Sequence, residues 1–181
     1  MLMDEDMNNE IFLYEPDLIN DIAEMLSISE DSAQSTQAAV LTAFDAIAYQ
    51  RTKLANLLSA THANASHGLL MNSLRRIVTG MQTVPCPVTH DLIEALFGFI
   101  SHLASTQSGG QMLINAGSIP ILLNALSIQH RSQARHAARA VGILDTLVYT
   151  FNPALTAFCA ASGIEALVER IDVPFFLLAL L

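Results

Sequence analysis

The chain has 181 residues, 52% of them hydrophobic and 14% charged, with a mean hydropathy of +0.42 and a formal net charge of −9. That is long enough for one domain with a sizeable core, and so apolar a balance fits a piece whose faces are covered by neighbouring repeats or by a partner. No apolar run reaches the roughly 20 residues a bilayer span needs, and two distant cysteines, Cys86 and Cys159, offer no disulfide framework and fit a reducing compartment.

The acidity belongs to one end. Residues 1–31 hold ten carboxylates and no Lys or Arg, while residues 32–181 set seven carboxylates against all eight basic side chains, a net charge of +1. Residues 1–16 are expected to be a flexible acidic segment, neither a secretory signal nor a mitochondrial presequence. Pro16 or Asp17 can start a first helix with Leu18, Ile19, Ile22, Met25 and Leu26 on one face. A polar break at Ser27–Ser35 follows. The next stripe, Val40, Leu41, Phe44, Ile47 and Ala48, predicts a helix over about 33–50. A shorter helix is expected over 51–60, then a loop over 61–67 and a helix over 68–81, where Pro85-Cys86-Pro87 forbids continuation. Thr89 is placed to cap a helix over 91–104, and Ser105–Gly110 reads as a turn.

The stretch Gly109–Leu126 reads as a joint between two helices. A short helix over about 111–115 runs into Ala116-Gly117, and Gly117 can take the left-handed conformation that ends it. Ser118 can cap the next helix, Pro120 fits its first turn, and Ile119, Leu122, Leu123 and Leu126 form one stripe. A long helix over 132–150 and shorter ones after Asn152-Pro153 complete the chain. Moved forward by 45 residues, the Ile119–Leu126 stripe lands on Ile164, Leu167, Val168 and Ile171; moved back by 45, it lands on Leu74, Ile77, Val78 and Met81. The long helices repeat at 44, with Ile93, Phe97, Ile100 and Leu103 mapping to Ala137, Val141, Leu144 and Leu147. A period of about 40–47 with two or three helices is the armadillo/HEAT signature. The expected fold is all-α, a right-handed armadillo/HEAT-like helical solenoid of about three repeats over residues 17–172. Residues 173–181 (VPFFLLALL) form an apolar tail of doubtful native structure, as expected where a longer solenoid is cut or a gene model is altered.

Two stretches carry a family resemblance. Ser66-His67-Gly68-Leu69-Leu70 with Leu74-Arg75-Arg76, and then Gly109–Leu126, resemble the N-terminal armadillo-like region of the giant HECT-type E3 ubiquitin ligases, the Mule-type ligase and its fungal and plant relatives. The similarity spans roughly 19–172. It implies a non-catalytic scaffold and substrate-docking segment acting in protein ubiquitination, in cytoplasm or nucleus, with proteins as partners. It also implies that the catalytic cysteine lies in a HECT domain with no counterpart here. The alternative is a free-standing armadillo adaptor that binds peptide segments.

Candidate sites are few. Arg131, Arg135 and Arg139 lie at i, i+4 and i+8, a basic ladder suited to an acidic or phosphorylated segment, with a solvated helix face as the plainer account. Arg75 and Arg76 invite the same two readings, Arg76 being also placed to bond a loop carbonyl. The histidine and cysteine pairs His62/His67 and Cys86/His90 match no zinc pattern, so no metal and no cofactor is expected. No base-and-orienter set accompanies Cys86 or Cys159, so no catalytic residue is expected. Eight scattered basic residues argue against nucleic acid.

Overall fold

A computed structural model describes residues 12, 14–27, 33–62, 68–128 and 130–171. Most of the expected acidic segment, most of the Ser27–Ser35 break, most of the 61–67 loop and the apolar tail lie outside these residues. The described residues are helical and contain no strand. They form α1 (Leu18–Glu24), α2 (Gln34–Ala48), α3 (Arg51–His62), α4 (Gly68–Met81), α5 (His90–Ser105), α6 (Gln107–Asn115), α7 (Ser118–Leu126), α8 (Ala134–Thr150), α9 (Asn152–Ala160) and α10 (Gly163–Ile171). Short 3-10 turns follow α1 at Met25–Ser27 and precede α8 at Arg131–Gln133. No helix among the described residues is long and apolar enough to cross a membrane.

The helices pack in rows. α2 lies against α5, and α5 against α8; α4 lies against α7, and α7 against α10; α3 touches α6. From α5 onward corresponding members start at a steady interval, whereas Gln34 and His90 are 56 residues apart and Gly68 and Ser118 are 50 apart. His90 and Ala134 are 44 residues apart, Gln107 and Asn152 are 45 apart, and Ser118 and Gly163 are 45 apart. α5 is covered from both sides, and buries Leu92, Ile93, Leu96, Phe97, Phe99, Ile100, Leu103 and Ala104. Between α2 and α5 the rings of Phe44 and Phe99, both fully buried, meet at 5.9 Å and a tilt of 49°. Each such side chain contributes roughly 1.5–3 kcal/mol by leaving water.

Polar side chains tie the rows together. Gln34 on α2 donates to the Pro87 carbonyl (2.9 Å) and accepts from the Thr89 N–H (2.7 Å), fixing the entry to α5. Thr89 does hold the N-cap position of α5, but its side chain makes no capping bond. At the other row, Gln82 after α4 donates to the Asn124 carbonyl and to Ser127 Oγ, both at 3.3 Å, and Arg170 on α10 donates to the Ile128 carbonyl at 2.5 Å.

The joint differs from expectation in two ways. α6 begins at Gln107, so Gly109-Gly110 sit in its first turn rather than in a connecting turn. Thr106 caps it, its Oγ1 accepting from the Gly109 N–H at 3.1 Å. Both glycines are there for close approach: a Cβ on Gly109 would lie 2.5 Å from the Leu103 carbonyl oxygen, and one on Gly110 would run into the Phe151 ring. Ser118 is also not the cap of α7. Gly117 holds that position with φ +76°, and Ser118 is the first helical residue, fully buried, its hydroxyl without a hydrogen-bond partner. The left-handed geometry at Gly117 comes from closing α6: Ala116 N–H bonds the Met112 carbonyl (2.9 Å) and Gly117 N–H the Ile114 carbonyl (3.0 Å).

Candidate functional site

The richest polar cluster lies where α5 meets α8. His90 and Glu94 are one turn apart on α5, at i and i+4, and so share a face. His136 projects from α8 between Arg135 and Ala137, with its side chain only 4% exposed. Its Nδ1 is 2.7 Å from Gln133 Oε1, an atom that can only accept, so Nδ1 carries the proton. Neutral His136 then presents Nε2 as an acceptor. That nitrogen accepts from His90 Nδ1–H at 3.0 Å and stands 3.3 Å from Glu94 Oε1. The two imidazoles are 4.9 Å apart at a tilt of 45°.

Glu94 is divided between two neighbours. Its Oε2 accepts from Arg139 Nη1. Its Oε1 is buried without a hydrogen-bond partner, 3.3 Å from His136 Nε2 and 3.8 Å from Arg135 Nε. Burial pushes the His136 imidazole below the ordinary histidine range, the Glu94 carboxylate pulls it back up, and His90, Arg135 and Arg139 add to the lowering. Burial thus favours the neutral ring, and the hydrogen bond to Gln133 fixes the tautomer with the proton on Nδ1.

The predicted ladder is thereby divided. Arg139 is bound to Glu94, and also reaches the Glu94 carbonyl at 3.5 Å. Arg135 keeps its side chain 76% exposed, and Arg131 is exposed in the 3-10 turn before α8. Arg75 is exposed on α4. Among the described residues Arg76 bonds no loop carbonyl; its Nη2 donates to the side-chain carbonyl of Gln37 on α2 at 2.6 Å. A second polar pair joins α2 and α5, where His102 Nδ1 is 2.8 Å from Asp45 Oδ1 and its ring lies 4.2 Å from that of Tyr49.

Cys86 is half-buried, with Sγ 3.4 Å from the Val88 carbonyl, and Cys159 is exposed on α9. His67 lies outside the described residues. The set His90, Glu94 and His136 was missed because pairs were sought within short stretches. The available signal was the 44-residue offset, which maps Leu92 onto His136 and so drops that imidazole between His90 and Glu94.

Comparison with known proteins decides the relationship. Residues 1–79 match the model of a Domain of Unknown Function, DUF908. The E3 ubiquitin-protein ligase ptr1 of Schizosaccharomyces pombe is 22% identical over 166 residues, 92% of this chain. The mouse E3 ubiquitin-protein ligase HUWE1 is 28% identical over 160 residues, 86% of this chain, and the TOM1-like E3 ligase of Neurospora crassa is 27% identical over 165 residues, 85% of it.

This chain is similar over most of its length to E3 ubiquitin-protein ligases.

The resemblance carried by Gly68–Leu70, Leu74–Arg76 and Gly109–Leu126 thus extends along most of the sequence. The chain spans 5% of the length of the fission-yeast ligase and 4% of the mouse and Neurospora ligases.

Proposed function

We propose that this chain is a non-catalytic armadillo-like scaffold and substrate-docking segment, from the N-terminal region of a HECT-type E3 ubiquitin ligase acting in the cytoplasm or nucleus. The observation that carries the proposal is the alignment itself: 92% of the chain corresponds to 5% of a ligase, a fraction too small to house the whole machinery of ubiquitin transfer. The solenoid reading, a right-handed stack of about three repeats, is supported by the α2–α5–α8 and α4–α7–α10 rows and by the 44–45-residue intervals from α5 to α8, from α6 to α9 and from α7 to α10. In such a stack the long helices line one face, where an acidic or phosphorylated segment would meet Arg131 and Arg135, with Arg139 behind them supporting Glu94. Arg75 and Arg76 stand on the other row and would serve a separate contact, Arg76 through its bond to Gln37.

The test is a deletion of residues 17–172 in a full-length ligase that carries this segment. Ubiquitin thioester formation and self-ubiquitination are expected to persist while ubiquitination of bound substrates falls. Loss of the thioester, or unchanged substrate modification, sinks the proposal. Incubated with charged conjugating enzyme, the 181-residue chain is expected to form no thioester at Cys86 or Cys159; a reducible ubiquitin adduct at either would make it an enzyme.

A further inference from the structure

We propose that His90, Glu94 and His136 form a divalent-metal site, best suited to Zn²⁺, that staples α5 to α8. The three candidate ligand atoms, His90 Nδ1, Glu94 Oε1 and His136 Nε2, lie within 4.8 Å of one another. Two of the separations, 3.0 and 3.3 Å, are close to the edge of about 3.3 Å expected between ligands of a tetrahedral ion with bonds of about 2.0–2.1 Å. Two imidazole nitrogens and one carboxylate oxygen are a donor set that zinc accepts, with water as the fourth ligand.

Three features beyond proximity point to an ion. The Gln133 side chain takes the proton on His136 Nδ1, which directs the Nε2 lone pair into the cluster; an outer hydrogen bond of this kind is what orients metal-bound histidines. Arg139 holds Glu94 Oε2, which leaves Oε1 as the ligand oxygen, and that atom is buried without a hydrogen bond. Glu94 Oε1 stands 3.3 Å from His136 Nε2 with no hydrogen between them, the Nε2 accepting from His90 instead, and a cation placed among the three atoms would satisfy both acceptors. His90 is the exposed member. It can pass its proton to its solvent-facing nitrogen and turn Nδ1 inward to close the widest edge. Arg135, mostly exposed, can swing away from Oε1 and give up only a long ion pair.

The consequence is mechanical: a bond network between two stacked helices whose strength follows metal availability. This goes beyond the docking proposal and fails or stands independently of it. The test uses the full 181-residue chain, stripped with chelator and titrated with ZnCl₂ by calorimetry, with Co²⁺ as a spectroscopic probe. One saturable site per chain is expected, with Co²⁺ bands of a four-coordinate nitrogen–oxygen site and a raised melting temperature on Zn²⁺ addition. His90→Ala, at an exposed position that can be changed without disturbing the core, and Glu94→Gln are each expected to abolish that binding. Gln133→Ala is expected to weaken it about 10–100-fold, as loss of an outer partner does. His136→Ala is informative only if its helical circular dichroism matches the parent chain; the His90 and Glu94 variants carry the test without it. No saturable site, or a site that persists at full affinity in both His90→Ala and Glu94→Gln, overturns the proposal.

Discussion

The joints α6–Gly117–α7 and α9–Ser162–α10 are the same device built twice, 45 residues apart. Their closing hydrogen bonds correspond one for one: Ala116 to Met112 and Gly117 to Ile114 in the first, Ala161 to Ala157 and Ser162 to Cys159 in the second. The turning residue is left-handed in both, with φ +76° at Gly117 and +57° at Ser162. So the chain geometry is set by the backbone bonds, and the residue only decides how much the turn costs. Glycine takes that conformation freely, whereas an L-residue with a Cβ gives up roughly 1–2 kcal/mol. The helices that follow diverge in burial. Ile119 and Leu123 on α7 are 1% and 7% exposed, while their counterparts on α10, Ile164 and Val168, are 58% and 53% exposed. One amphipathic stripe therefore serves as core in α7, which has packed neighbours on both sides, and as partly open surface in α10.

The largest expected effect tests that difference in burial. Leu122→Ala on α7, at 0% exposure, should cost about 2–5 kcal/mol through lost burial and the cavity left behind. Leu167→Ala, at the matching place on half-buried α10, should cost less than half as much by denaturant unfolding. Equal losses would erase the distinction between the two helices. Next is Gly110→Ala, whose new methyl would run into the buried Phe151 ring; an overpacking loss of about 1–3 kcal/mol is expected. The matching residue in the second joint is exposed Leu155, so Leu155→Ala should leave the melting temperature nearly unchanged.

The turn itself gives a pair of opposite sign. Gly117→Val should destabilise by roughly 1–2 kcal/mol, because a β-branched residue is forced to positive φ. Ser162→Gly should stabilise by up to about 1 kcal/mol for the converse reason. If both shift stability in the same direction, the two turns do not share a geometry. The smallest effect concerns Gly98 and Gly142, 44 residues apart in the middle of α5 and α8, where a Cβ would meet nothing within 4 Å. Alanine at either should raise stability by about 0.5–1 kcal/mol, read from the unfolding midpoint.

Much of the helical layout was legible because it is written in local periodicity. The helix over 68–81 appears with those limits, and the apolar stripes of α2, α5 and α7 are buried as the spacing implied, with Ile47 of α2 only half-buried. The 44–45-residue offsets predicted which helices would pack as neighbours, and those of α5 with α8 and α4 with α7 with α10 do. The first turn of α6 was not legible, since Gly109-Gly110 look like helix breakers until Phe151 and the Leu103 carbonyl are brought beside them. Ser118 was misassigned for a related reason: a serine after glycine resembles a cap, but the left-handed glycine has already turned the chain and leaves the serine inside the helix. The α5–α8 cluster was the least legible. His90 and His136 are 46 residues apart, and only the stacking of their helices makes them neighbours.

The Gln34 amide has a consequence for which residues position 34 tolerates. It offers opposite polarities to one short segment, giving a hydrogen to the Pro87 carbonyl and taking one from Thr89. A carboxylate of the same length could only accept there, and would face a carbonyl oxygen. A lysine could only donate, and an asparagine would fall one methylene short. Position 34 therefore admits a narrower alphabet than its exposed neighbours Ser35 and Thr36, although all three read alike as polar residues opening a helix.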